Sequence, residues 1–182
     1  MDEDILYIER FLSGDEKGFD MLVKKYQDRV LNIVRSITGK DGESEDIAQE
    51  VFLKVYNNLG AFRGHSQFST WLYRIVVNAV YGFTRGRRKM VNDEDAIKNS
   101  ATDYRGPRDN LIAKEREVIL YKALENVPIN FKTALIFKDI EGLSYLEISK
   151  ILCCSIGTVE SRIYRARQIL KGELLKIGGE AV

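Results

Sequence analysis

Arg63, Arg74, Arg85, Arg87, Arg88 and Lys89 stand between positions 61 and 90 without one acidic residue among them. Over the whole chain Lys and Arg nearly balance Asp and Glu, 28 against 27, so this island marks a polyanion contact rather than general solubility. Aromatic rings interleave with it, among them Phe62, Phe68, Trp71, Tyr73, Tyr81 and Phe83. Rings offer faces on which unpaired bases stack, worth roughly 1–3 kcal/mol per base, while guanidinium groups follow phosphates. The pattern suits single-stranded DNA. The contacting set is Phe62, Arg63, Trp71, Tyr73, Arg74, Asn78, Tyr81, Arg85, Arg87 and Arg88. Helical spacing alone would bury Phe68 and Trp71 as core, but it does not account for the acid-free arginines.

A second constellation lies near the C-terminus. Ser144 is followed three residues later by Glu147, a capping box opening a short helix whose apolar stripe is Tyr145, Ile148 and Leu152. After a break from Cys153 to Gly157, the residues Val159, Ile163, Ala166 and Leu170 step by four, three and four. That stripe leaves Thr158, Glu160, Ser161, Arg162, Tyr164, Arg165 and Arg167 on the other faces. A short helix, a tight turn and a longer amphipathic helix make a helix-turn-helix. A duplex major groove admits one such helix, its first residues reading base edges and its later arginines reaching phosphate. The plainer reading is a solvated helix closing a bundle.

Chemistry of a catalytic kind finds little to work with. Cys153 and Cys154 are neighbours and do not make a disulfide framework. One histidine, His65, and no second cysteine pair argue against zinc, and no other metal or cofactor is implied. Packing accounts for the cysteine pair better than a redox switch does. The acids of residues 1–60 are scattered over helix surfaces, with no catalytic constellation.

The elements that must hold these residues are helical throughout. Phe19, Leu22, Val23, Tyr26, Val30, Ile33, Val34 and Ile37 share one stripe. Gly39 and Gly42 end it, and Ser44 is placed to cap the next helix. There Ala48, Val51, Phe52, Val55 and Leu59 face inward, leaving Asp46, Gln49, Glu50 and Lys54 outside. Gly60 and Gly64 bracket a loop, and Ser69 is placed to cap a third long helix. From 91 to 113 the periodicity is lost among acids, Asn, Ser, Gly106 and Pro107, which reads as an acidic flexible linker. Helical pattern resumes with Ile119, Leu120, Ala123 and Leu124. Pro128 interrupts it, and Phe131, Leu135 and Ile136 belong to a helix ending near Gly142. The expected architecture is all-α: two small helical domains, 1–90 and 114–182, joined by the linker 91–113. No apolar run approaches a bilayer span, and the acidic Met1-Asp2-Glu3-Asp4 is unlike a secretory leader. A cytoplasmic protein without membrane insertion is expected.

These residues resemble a known family. Glu45-Asp46-Ile47-Ala48-Gln49-Glu50-Val51-Phe52, then Phe62-Arg63-Gly64, then Phe68 to Ile75, then Gly157-Thr158-Val159 with Ser161-Arg162, is similar to the extracytoplasmic-function sigma factors of bacterial RNA polymerase. The likeness runs in order over nearly the whole chain and is nearest the envelope-stress subgroup. It implies a dissociable sigma subunit, not an enzyme, that directs core polymerase to promoters and assists their opening. The first domain would be region two, with Asp46, Gln49, Glu50 and Lys54 on the clamp of the largest subunit. Its loop from Phe62 to Ser69 would receive a base flipped from the melted minus-ten strand, beside Asn78. Capturing an extruded base offsets unstacking, so binding favours DNA already open. The second domain would be region four, touching the polymerase flap and reading the minus-thirty-five duplex. By the same resemblance, Lys138, Thr158, Glu160, Ser161, Arg162, Tyr164, Arg165 and Arg167 would be its DNA residues. Control by an anti-sigma factor held between the domains is also implied.

Three positions depart from the family pattern. Glu160 stands where the subgroup carries a basic residue, and a carboxylate accepts from cytosine N4 but does not bind guanine acceptors or phosphate. Gly82 replaces an Asp common in the family. Cys153 occupies a turn position often held by Gly or Asp, which implies either a strained backbone or an altered turn. Two other functions compete. A helix-turn-helix regulator with an N-terminal sensing or dimerisation domain explains 114–182 equally well but not the arginine-aromatic island. A recombinase or nuclease would need a nucleophile or clustered metal-binding carboxylates.

Overall fold

A computed structural model describes residues 3–39, 41–91 and 111–179. Among them are eight α-helices and no strand. The first module holds α1 (Glu3–Leu12), α2 (Lys17–Thr38), α3 (Asp41–Asn58) and, after a 3-10 turn at Leu59–Ala61, α4 (Phe68–Val91). Leu22, Tyr26, Val30, Ile33, Val34 and Ile37 of α2 are buried, as their stripe predicts, against Ile47, Val51 and Val55 of α3 and Phe68, Leu72 and Val76 of α4.

Helix α1 was not foreseen. It crosses α2 at Gly18, where a Cβ would lie 2.3 Å from the Tyr7 carbonyl oxygen and 2.7 Å from the Phe11 nitrogen. Only glycine permits that approach. Asp4 is buried there and accepts from the Tyr26 hydroxyl at 2.6 Å and the Lys25 ammonium at 2.7 Å. A buried carboxylate is tolerable because both partners compensate its lost hydration.

Two cap assignments need correction. Ser44 lies inside α3, buried, with its Oγ 3.0 Å from Thr38 Oγ1. Helix α4 starts at Phe68, one residue before Ser69. In both places the helix extends toward its N-terminus because tertiary packing on α2 outweighs the local cap preference.

The second module holds α5 (Leu111–Glu125), α6 (Ile129–Leu135), a π-turn at Ile136–Ile140, α7 (Tyr145–Leu152) and α8 (Ile156–Gly179). The capping box is formed: the Glu147 N–H donates to Ser144 Oγ at 3.2 Å, and the Ser144 N–H donates to Glu147 Oε2 at 2.8 Å. Cys153 ends α7 at φ 50°, the only described non-glycine with positive φ, so the strain expected of this position is present. Ala123 and Leu124 are buried, but Ile119 and Leu120 are exposed, because α5 packs chiefly on α8 and leaves that side uncovered. Residues 92–110 of the expected linker lie outside the described residues, while Val91 ends α4 and residues 111–113 begin α5.

The modules pack on each other. Helix α4 lies against α7, and α2 against α6 and the π-turn, so one buried cluster runs from Ile8 to Ala166. Between α2, α4 and α6 a cleft remains, lined by Ile37, Phe83, Val127 and Ile129 with Glu43 and Glu125 at its rim. None of the helices is long and apolar enough to cross a membrane among the described residues.

Candidate nucleic-acid interface

The first candidate surface is built on the start of α4 and the loop before it. Leu59 and Phe68 are buried and anchor the two ends of that loop. Gly64 turns it at φ +70°, in open space. Phe62 closes edge-on against Phe68 with centroids 5.8 Å apart, and leans on Trp71 at 5.5 Å. Phe62 and Trp71 are half-buried: each gives one side to the core and the other to solvent. Arg63, His65 and Gln67 are exposed above them. A ring wall under an exposed polar loop can take a flat base by stacking and contact its edge with side chains.

Along α4, Arg74, Asn78 and Arg85 are exposed on one stripe, at steps of four and seven. Arg87 and Arg88 lie in the last turns of α4, and their side chains fall outside the described ones. Tyr73 is a correction. Its ring is 1% exposed and stacks on Phe137 of the second module, with centroids 5.8 Å apart. It cannot meet a base in this arrangement. Tyr81 is half-buried near Thr133, and Arg74 donates from Nη2 to the Lys150 carbonyl at 2.7 Å. Burial pushes the Tyr73 phenol up to about 12, and it raises that of Tyr81 too.

The second surface is α8. Val159, Ile163 and Ala166 are buried as expected, and Glu160, Ser161, Tyr164 and Arg165 are exposed. Thr158 Oγ1 lies 2.8 Å from Ser155 Oγ, which also accepts from the Thr158 N–H, so this pair fastens the helix start. Arg162 is half-exposed. Two basic residues are less available than the sequence suggests. Arg167 forks onto Asp139 at 2.6 and 3.2 Å. Lys138 donates to the Leu143 carbonyl at 3.2 Å and lies over the Tyr145 ring at 5.0 Å. A phosphate would have to displace those partners.

The third surface is the outer face of α3, where Asp46, Gln49, Glu50 and Lys54 are all exposed. Lys54 pairs with Glu50 at 2.6 Å. The sequence reading missed the apolar residues beside them. Leu53 is 60% exposed and Tyr56 41%, and the Tyr56 ring sits 5.1 Å from both Phe11 and Phe19. The signal was present, since Leu53 and Tyr56 fall off the buried stripe of α3 and interrupt an otherwise polar face. No group of His, Cys, Asp and Glu able to hold a metal occurs among the described residues.

Both modules are similar to known proteins. Residues 22–90 match Sigma-70 region 2, and residues 117–170 match Sigma-70, region 4. The RNA polymerase sigma-H factor of Pseudomonas aeruginosa is 37% identical over 189 aligned residues, covering 99% of this chain and 98% of the relative. The ECF RNA polymerase sigma-E factor of Escherichia coli K12 is 36% identical, covering 94% of each. Among solved structures, the sigma factor RpoE of Bartonella quintana, in complex with the anti-sigma factor NepR, superposes with a TM-score of 0.72 at 27% identity, over 88% of this chain and 98% of that one.

Proposed function

Because this chain belongs to the sigma-70 family, as a sigma factor of the extracytoplasmic-function type, we propose a division of labour among its three surfaces. The chain is a dissociable subunit that brings core RNA polymerase to specific promoters and takes part in their opening. Residues 1–90 serve polymerase docking and the minus-ten element, and residues 114–182 serve the minus-thirty-five element. The α3 face carrying Asp46, Gln49, Glu50 and Lys54, widened by Leu53 and Tyr56, docks on the polymerase clamp. The wall of Phe62 and Trp71, with Arg63, Asn78 and Arg85, holds the unpaired minus-ten strand. Glu160, Ser161, Arg162, Tyr164 and Arg165 enter the minus-thirty-five groove.

The observation that carries this reading is the half-buried Phe62 and Trp71 pair beneath an exposed loop, in a chain that also presents a helix-turn-helix. A duplex reader has no use for a ring wall. Holding an extruded base stabilises open DNA over closed DNA and shifts that equilibrium without any hydrolysis. The chain then works as an initiation factor in the cytoplasm, not as a catalyst. The solved relative held by an anti-sigma factor supports similar control here, and the cleft rimmed by Glu43 and Glu125 is the surface we assign to it.

Reconstitution tests this. Purified chain added to core polymerase should give a promoter-specific run-off transcript, while alone it should show no specific duplex binding. Specific duplex binding without polymerase, together with no transcript in its presence, would favour a conventional regulator instead.

A further inference from the structure

Lys132 breaks an ordinary rule of helical packing. The residue is 6% exposed, and its ammonium donates to the Ile37 carbonyl at 3.3 Å. That oxygen lies in the last turn of α2, where the Gly39 N–H already takes the Arg35 carbonyl. The lysine therefore caps the helix and gains from its dipole. One acceptor is too few, since an ammonium carries three donors. Glu125 adds attraction without a hydrogen bond, and among the described residues Lys132 has no ion pair. Burying an ammonium costs free energy that incomplete partners do not return. A charge kept in that state belongs to a functional position rather than to a packed core.

The cleft beside it supplies the rest. About 480 Å³ of space lies between α2, α4 and α6, within the size range of small-molecule sites. Ile37, Phe83, Val127 and Ile129 give it an apolar wall, and Lys132 is the one buried charge among its lining residues. The neighbouring polar donors are already engaged. Thr38 Oγ1 donates to the Val34 carbonyl, Thr84 Oγ1 to that of Val80, and Asn126 Nδ2 to Glu173. Glu43 and Glu125 stand at the mouth, with Glu125 exposed to water.

This arrangement selects a guest by charge. The end that enters must be anionic and accept hydrogen bonds, while the end left at the mouth must carry no negative charge of its own. We propose that the cleft binds a small monocarboxylic acid with an apolar body, such as a medium-chain fatty acid. Its carboxylate lies on the Lys132 ammonium, and its chain runs along Ile37, Phe83, Val127 and Ile129. The carboxylate gives the ammonium the acceptors it lacks, and the chain covers apolar wall at roughly 25 cal/mol per Å². The same cleft is the surface assigned above to an anti-sigma factor, so acid and partner would exclude each other. That consequence rests on the earlier assignment, and the acid site itself does not.

The test titrates octanoate into the full chain by isothermal calorimetry, beside 1-octanol and octanedioate. Octanoate should bind at one site, about tenfold more tightly than either control. The alcohol loses the ion pair, and the diacid sets its second carboxylate against Glu43 and Glu125. Methyl resonances of Ile37 and Ile129 should shift in the unaltered chain, so the result does not depend on the folding of a variant. Lys132→Met should weaken octanoate about tenfold while its thermal midpoint stays equal or rises, because an apolar side chain of similar length replaces a buried charge. No saturable octanoate binding, equal binding of the alcohol, or undiminished binding to Lys132→Met overturns the site and leaves the cleft to a protein partner. A chain that directs run-off but binds no octanoate loses this proposal alone. One that binds octanoate but gives no transcript loses the functional reading alone.

Discussion

Tyr73 and Phe137 stack with centroids 5.8 Å apart and planes inclined by 32°, joining the helix assigned to melted DNA to the π-turn of the helix-turn-helix module. Ring pairs of this kind contribute about 0.5–1.5 kcal/mol beyond their burial. The stack is opposed by a phenol oxygen with no partner. It is one of several contacts between the modules, beside the Arg29–Glu141 pair and the bond from Arg74 to the Lys150 carbonyl.

Removing that oxygen should tighten the closed form. Tyr73→Phe keeps the ring and removes the unsatisfied group, whose burial costs about 1–3 kcal/mol. The expected outcome is a melting temperature raised by a few degrees. Thermal denaturation of the two chains checks it, and an unchanged or lowered midpoint would contradict it.

The same phenol predicts a pH limit. Burial raises it from its ordinary 10 to about 12 in the closed form, the Arg29 charge countering in part. A pKa raised by folding contributes stability that is whole below pH 10 and is lost as pH climbs from 10 through 12. The phenolate absorbance of the native chain should therefore show a phase near pH 12 that is absent from Tyr73→Phe. Ionisation of every tyrosine near 10 would contradict the burial.

The capping box gives a local stability test. Ser144→Ala removes the side-chain bond to the Glu147 N–H and should cost about 1 kcal/mol. Hydrogen bonds from Ser144 hold the Glu147 carboxyl below its usual value, so this contribution is present at neutral pH and lost as pH falls through the acid range. The destabilisation by Ser144→Ala should shrink on acidification, as measured by denaturant unfolding at a series of pH values.

Much of this was legible in the chain. Most of the α2, α3 and α8 stripes are buried where the spacing of three and four put them, with Phe19, Val23, Phe52 and Leu170 only half-buried, and the Ser144 to Glu147 box formed as read. Long periodic segments report their own burial. Tyr73 was misplaced because it belongs to two patterns at once: an aromatic among arginines, and an apolar residue one step from Leu72 on a buried face. Only the position of Phe137 decides between them. Asp4 and Gly18 made α1 invisible for a related reason, since a buried acid and a helical glycine each argue against a packed helix until their partners, Tyr26 and the Tyr7 carbonyl, are in place. Lys138 and Arg167 read as free cations because Leu143 and Asp139, their partners, are loop and turn positions that periodicity does not locate.

Glu160 offers a specificity test. It is exposed on the outer face of α8 beside Ser161 and Tyr164. A carboxylate there accepts from cytosine N4, and each good base contact discriminates by about 1–3 kcal/mol. Glu160→Arg should move the minus-thirty-five preference toward guanine at one position while leaving the others alone. Selection of promoters with the reconstituted holoenzyme reads this directly, and an unchanged profile would mean the side chain touches no base.

The central claim is that the loop before α4 and the exposed stripe of that helix hold an unpaired strand. Permanganate footprinting of thymines in the minus-ten region tests it most directly, with holoenzyme carrying either the native chain or Asn78→Ala, an exposed position whose loss leaves the core intact. The account predicts strong reactivity with the native subunit and a loss of about tenfold with Asn78→Ala at equal polymerase occupancy, restored on a pre-melted template. Equal reactivity of the two on duplex promoter would contradict it.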